Sequence, residues 1–472
     1  MTMAQSATAA VPATPPGKDT GAPEFAVPNL LFDNRTPFSA AQFDTVDQHD
    51  GAFHVFVAKI GYTIGPCDQD GWATLKVLDT PAELNTQDRH HGDDPSASVL
   101  EESDFAPYKP RCDVIVNAVA HVPDKKPAKE LLVRLAVMPS LAGEPAPPAI
   151  IDKTLMVCGE RWFVRKTAVT RLLHWPVKIG TLGLLRPNPW RLSAAAPMTS
   201  VPVRYELALG GECRIDSDDR ASKRVPAKHR IGPATPAEPC AIAHEACETN
   251  PLGKGFTRKW YLKAAGKSRL PAPQVGAAFQ LCNAKSFSKG ARGGKLEEPS
   301  GFGVIGRAWQ PRRALIGKIE EKKDWEADEV PRLPVDFDFG YWNCAPRDQQ
   351  CAYLAGGERF SLVNLCSPDS PSARKNQSGN TVLRFALPQQ AVFVLAVNLA
   401  EELTVMPLSL DTVVVNPESN RLDLVWRGFL RADGNNVSSR LMHITQADQL
   451  ARLDELVRHQ WSEAEADDSK GE

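Results

Sequence analysis

Apolar and polar residues alternate in short runs along most of the chain, and that two-residue period predicts strands. Residues 53–64 (FHVFVAKIGYTI) are the clearest early case, with Phe53, Val55 and Val57 on one face. Residues 72–78 follow a Gly-Pro-Cys-Asp turn and are predicted to return as the hairpin partner. Further strands are expected at 114–122, 131–138 and 150–164. So many short strands with almost no helical periodicity point to a sandwich or an open barrel. The stretch Arg204–Phe256 is the most distinctive. Its first part reads as a strand, because Tyr205, Leu207 and Leu209 alternate with Arg204, Glu206 and Ala208 before the Gly210-Gly211 pair. Its last part, Asn250-Pro251-Leu252-Gly253-Lys254-Gly255-Phe256, can continue neither a helix nor a central strand and predicts a fixed irregular path.

Apolar density falls between residues 211 and 306, where Gly, Pro and Lys take over. Strand patterns resume beyond Phe337 and run through 360–365, 381–387, 391–398, 402–408, 411–416 and 420–430. The last two of these flank Pro417-Glu418-Ser419-Asn420 as a hairpin. Leu450, Leu453, Leu456 and Val457 then recur at helical spacing, which predicts a closing amphipathic helix over 446–467. The expected organisation is therefore mainly β. It has a disordered lead-in at 1–28, an N-terminal β domain at 29–210 and a loop-rich, basic middle segment at 211–306. A C-terminal β domain at 307–435, the helix at 446–467 and a tail at 468–472 complete it.

Composition narrows the function classes. A net charge of −2 leaves no chain-wide field to drive binding to nucleic acid or an anionic membrane. No window of about 18 apolar residues is present to span a membrane, and the N-terminus lacks the pattern of a secretory signal. Ten cysteines scattered over 472 residues suit a cytoplasmic protein with reduced thiols.

Candidate chemistry is sparse. Gly301-Phe302-Gly303-Val304-Ile305-Gly306 matches a nucleotide-binding fingerprint, but the strand before it and the helix after it are missing, so it reads as a structural turn and no cofactor is expected. Cys240, His244 and Cys247 lie within eight residues, and His90-His91 stands near Asp93-Asp94. Either cluster would serve a metal-dependent hydrolase, yet neither has the ligand spacing of a zinc site, and no metal is expected. Residues 254–295 carry ten Lys/Arg and no Asp or Glu, with Trp260, Tyr261, Phe279 and Phe287 interleaved. That pattern suits a protein partner, or a loop paired with the acidic run at 320–329, better than nucleic acid. Tyr341-Trp342 and Trp426, like Trp260 and Tyr261, either fill a core or anchor a partner.

An ordered set of these pieces resembles a bacterial family of type VI secretion accessory proteins long filed as a domain of unknown function (family twenty-one sixty-nine). The matching stretches are Asn34-Arg35-Thr36-Pro37-Phe38, Asp104-Phe105-Ala106-Pro107-Tyr108-Lys109-Pro110 with Asp113, and Arg204-Tyr205-Glu206 with Gly210-Gly211. Asn250-Pro251-Leu252-Gly253-Lys254-Gly255-Phe256 and Gly301-Phe302-Gly303 with Trp309 and Pro311-Arg312 follow. Phe339-Gly340-Tyr341-Trp342-Asn343 and Asp411-Thr412 with Val425-Trp426-Arg427-Gly428 close the set. The resemblance implies an effector adaptor or chaperone whose partners are a secreted toxic effector and the VgrG/PAAR spike. It implies no catalytic residue, and it implies structural roles for Arg204, Tyr205, Gly210, Gly211, Asn250, Pro251, Gly253, Gly255 and Trp309.

Overall fold

The computed structural model describes residues 30–49, 51–140, 147–166, 188–232, 239–278, 282–317, 333–432, 435–446 and 449–455. The protein is mainly β, in several sheets with few helices, and no sheet of the described residues closes into a barrel. The largest sheet has the order Ser39–Val46, Ala52–Cys67, Arg421–Arg431, Ser409–Asn416, Cys112–Val116, Gln350–Cys351, with Ala73–Val77 also paired to Ala52–Cys67. A six-stranded sheet runs Val275–Ala277, Ile151–Cys158, Glu130–Met138, Arg359–Val363, Thr381–Ala386, Ala373–Lys375. A four-stranded sheet joins Leu31–Asn34, Asn436–Ile444, Ala391–Asn398 and Leu403–Pro407.

All three sheets bury side chains in one apolar core. Phe56, Ile60, Val114, Val413 and Leu424 from the first meet Val133, Leu135, Leu155, Phe360 and Phe385 from the second and Val394 and Leu441 from the third. Strands from both sides of the expected middle segment are therefore neighbours: Ala52–Cys67 pairs directly with Arg421–Arg431, and Glu130–Met138 with Arg359–Val363. The expected boundaries at 210 and 307 do not divide the sheets.

The middle of the chain builds smaller satellites on this frame. Glu212–Asp216 pairs with Ala241–Ala246 over Cys213, Ile242, Phe256 and Trp260, and the helix Ala284–Gly290 stacks Phe287 on Phe163. Among the described residues no helix is long and apolar enough to cross a membrane. The lead-in at 1–28 lies outside the described residues, as does the predicted closing helix beyond residue 455. Residues 449–455 are helical, with Leu453 buried against Phe393 and Val405.

One predicted element is corrected. Residues 204–209 do not form a strand; Tyr205–Leu207 is a 3-10 turn that leads into the two-residue strand Leu209–Gly210. The side-chain amide of buried Asn250 donates to Tyr205 O at 2.8 Å and to Leu209 O at 3.1 Å, and so folds this segment around itself. A Cβ on Gly210 would lie 2.1 Å from Asn250 O, and Gly211 takes φ +109°, so the glycine pair is required for this close approach. Tyr205 stacks edge-on against Trp309 at 5.4 Å. The motif residues Tyr205, Gly210, Gly211, Asn250, Gly253, Gly255 and Trp309 thus form one tied crossing, with Pro251 in its turn and Arg204 exposed at its entry.

Candidate functional site

The seven-stranded sheet has two unlike faces. Strand alternation sends Leu422, Leu424 and Trp426 into the apolar core and Asp423, Val425 and Arg427 to the opposite side. The same alternation turns Lys59 and Asp113 to that opposite side, and a bulge between Leu410 and Thr412 brings Asp411 within reach of Arg427. These charges are buried, not solvated, because the stretches around 99–109, 302–312 and 339–349 cover them.

Every one of these charges is bonded. Lys109 Nζ reaches Asp113 Oδ2 and Thr412 Oγ1 at 2.9 Å each, and the two Asp113 oxygens also accept the amides of Cys344 and Ala345 at 3.0 and 3.1 Å. Arg427 Nε meets Asp411 Oδ2 at 2.7 Å, while its Nη1 donates to the carbonyls of Asp104 and Ala106. Asp104 Oδ2 holds Lys59 Nζ at 3.0 Å and the Asn85 amide at 2.7 Å. Arg312 forks onto Glu102 (Nη2 to Oε2, 2.8 Å) and donates to Tyr341 O and Ile305 O. Burial, the largest single influence, would push the Lys109 ammonium and the Arg312 guanidinium down, but the surrounding groups, led by Asp113 for Lys109 and by Glu102 for Arg312, together hold both above their ordinary range. Much of the lattice comes from stretches that carried the sequence resemblance, around residues 104–113, 309–312, 339–343 and 411–428, with Lys59, Asn85 and Glu102 added from outside them. It fixes strands to cover, and it leaves no free base beside a nucleophile.

At its outer end the covered face becomes apolar and opens. Phe53, Tyr108, Phe339 and Phe429, with Thr45, Val46, Asp47, Val55 and Pro107, line a hollow of about 200 Å³. The rings form a connected run: Phe53 to Phe429 at 5.8 Å, Phe429 to Tyr108 at 5.5 Å, Tyr108 to Phe339 at 5.6 Å and Phe339 to Phe337 at 5.4 Å. Phe337 continues to Tyr341, which meets Trp342 at 5.3 Å. Phe429 is 46% exposed, far more than a core ring.

A family model described as "Uncharacterized protein conserved in bacteria (DUF2169)" matches residues 50–427. The chain belongs to this family. No curated protein and no solved structure matches it. In this DUF2169 protein the whole charge lattice lies inside the matched range, whereas Phe429, Thr45 and Val46 of the hollow lie just beyond its two ends.

The remaining candidate residues are placed as follows. Trp260 and Trp426 are interior and cannot anchor a partner: Trp260 donates to Glu245 Oε2 at 3.0 Å inside a satellite core, with Tyr261 packed beside it, and Trp426 sits in the main core. Tyr341 and Trp342 are half-buried on the ring run. His244 is exposed on its strand and bonds Glu212 Oε2 at 2.8 Å, while Cys247 is buried in the satellite core and Cys240 packs against it, so the imidazole and the thiols are not brought together. His90 Nδ1 bonds Ala97 O at 2.8 Å. Its neighbour His91 has its pKa lowered to about 4, by burial first and then by Arg204. Among the described residues no group of three His, Cys, Asp or Glu is arranged to hold a metal ion. Phe302 of the glycine-rich match is fully buried, and its carbonyl accepts from Val116 N and Gln349 Nε2, which makes the segment a structural filler.

In the basic middle, Lys259, Lys263, Lys267, Lys285, Lys289, Arg292 and Lys295 are exposed; Phe279 and the acidic run at 320–329 lie outside the described residues. A cleft of about 770 Å³ lies beside this segment, between Lys153, Val275, Glu297, Arg312 and Asp348. Its Lys153 is held by Asp348 Oδ1 at 2.7 Å and Gln349 Oε1 at 2.8 Å, and no histidine of the described residues lines it.

Sequence reasoning missed Phe53, Tyr108, Phe339 and Phe429 as a surface. The available signal was an aromatic at the outer end of each stretch that also supplies a lattice charge: Tyr108 beside Lys109, and Phe429 two residues after Arg427.

Proposed function

We propose that this protein is a type VI secretion adaptor that binds a toxic effector in the cytoplasm and helps load it onto the VgrG/PAAR spike, with no bond-making of its own. The observation that carries this reading is the open aromatic hollow at the end of a fully paired charge lattice. Rings give contact area at low entropic cost, and ionic bonds behind them hold the hollow in a fixed shape, which reduces the ordering cost of binding. An apolar side chain or helix face of the effector would seat among Phe53, Tyr108, Phe339 and Phe429. The lattice charges favour the same reading, since each is spent on a neighbour and none is poised to move a proton.

Co-expression with the proteins encoded beside it tests the proposal. Stoichiometric co-purification with a toxin, a spike protein or a PAAR-type protein is the expected result. Failure to retain any of them, together with stoichiometric zinc in the purified protein, would replace the adaptor by a metal-dependent hydrolase.

A further inference from the structure

The edge of the seven-stranded sheet carries a pair of cysteines in direct register. Cys112, at the start of Cys112–Val116, lies opposite Cys351, the last residue of the two-residue strand Gln350–Cys351. Side chains of register partners point to the same face of a sheet, and both thiols are buried in the main core. Opposed residues on antiparallel strands have Cα atoms about 4.5–5.5 Å apart, within the roughly 4.4–6.8 Å that a disulfide spans. We propose that Cys112 and Cys351 form a reversible thiol–disulfide site, oxidised by a low-molecular-weight disulfide such as oxidised glutathione.

Cys351 is the attacking thiol, because it sits at the sheet edge and its strand is only two residues long, so local opening exposes it first. The adjacent Cys112 side chain holds Cys351 below the ordinary cysteine range, with burial opposing and Arg111 assisting. Its thiolate attacks one sulfur of the glutathione disulfide, breaks that S–S bond and releases one glutathione thiolate. Cys112 then attacks the Cys351 sulfur of the mixed disulfide, releases the second glutathione thiolate and gives up its proton to solvent. Two protein thiols are oxidised and one glutathione disulfide is reduced to two thiols.

The consequence reaches the lattice. Cys112 precedes Asp113, and Cys351 ends the segment in which Cys344 and Ala345 bond Asp113 and Phe339, Tyr341 and Trp342 form the ring run. A disulfide would pin that cover to the sheet at its edge.

The full chain is reduced, incubated with oxidised glutathione with and without a sub-denaturing amount of urea, and mapped by mass spectrometry without reduction. The expected product joins the Cys112 and Cys351 peptides with loss of two hydrogens, and dithiothreitol separates them. Cys351→Ser abolishes that cross-link, while half-buried Cys67 and Cys240 remain open to alkylation in both proteins. The proposal is overturned if both thiols stay alkylatable in the urea arm, or if either is joined preferentially to a different cysteine. Hydrogen exchange over residues 338–349 should slow in the oxidised protein; unchanged exchange would overturn the pinning of the cover.

Discussion

The two faces of the seven-stranded sheet are made by the same strands and are held by different forces. On one face Phe56, Ile60, Leu422 and Leu424 meet the six-stranded sheet, and their contribution is additive and non-directional. On the other, Lys59, Asp113 and Arg427 meet a cover of loops and short turns through directed bonds, while Asp411 and Asp423 pair with Arg427 and Arg421 of the sheet itself. Irregular backbone has no regular apolar face to bury, so it is fastened by carbonyls, amides and paired charges instead. A buried ion pair adds little net stability over a hydrophobic pair, but removing half of one leaves a stranded charge. The charged face therefore specifies where the cover sits, and the apolar face supplies most of the stability.

The largest expected effect is on the charged face. Asp113→Leu strands Lys109 and should cost about 3–5 kcal/mol, measured by denaturant unfolding. The double variant Lys109→Met/Asp113→Leu should recover the part of that loss that comes from the stranded charge, while the Cys344 and Ala345 amides stay unpaired. A double variant as unstable as the sum of its parts would mean that the two faces do not differ. Next, Leu424→Ala on the apolar face should cost about 2–5 kcal/mol, and no second truncation beside it should restore stability.

A smaller effect comes from pH. His91 lies in a turn beside Arg204 and Glu206, and its pKa of about 4 in the folded state is below the ordinary 6.5. The unfolded chain therefore binds the proton more tightly. Stability from this group is complete above pH 6.5 and falls as pH drops toward about 4. The effect is reduced by the partial exposure of the ring. His91→Gln should flatten the dependence of Tm on pH in that interval, whereas an unchanged slope would remove His91 from the account. The smallest effect on stability is expected from Phe429→Ala, within about 1 kcal/mol by thermal melting, since this ring is already 46% exposed.

The sequence was most legible where alternation had one meaning. The runs at 53–64, 72–78, 131–138, 411–416 and 420–430 fall within or largely overlap observed strands, and the turn at Pro417–Asn420 falls where expected, with Asn420 in the left-handed region at φ +49°. It misled at 204–209, where the alternation of Tyr205, Leu207 and Leu209 is produced by a turn wrapped around Asn250. The charged face was illegible for a physical reason. Lys59, Asp113, Asp423 and Arg427 occupy the polar positions of alternating strands, the pattern of a solvated face. Nothing local to those strands reveals that separate stretches cover them, as Cys344 and Ala345, more than two hundred positions away, cover Asp113. The aromatic hollow was missed for the same reason, since Phe53, Tyr108, Phe339 and Phe429 come from four separate stretches.

Binding of the proposed effector partner to the wild type and to Phe429→Asp, measured side by side by calorimetry, tests the central claim most directly. The account predicts a loss of affinity of about tenfold or more with the melting temperature almost unchanged. Equal affinities in the two proteins would contradict it.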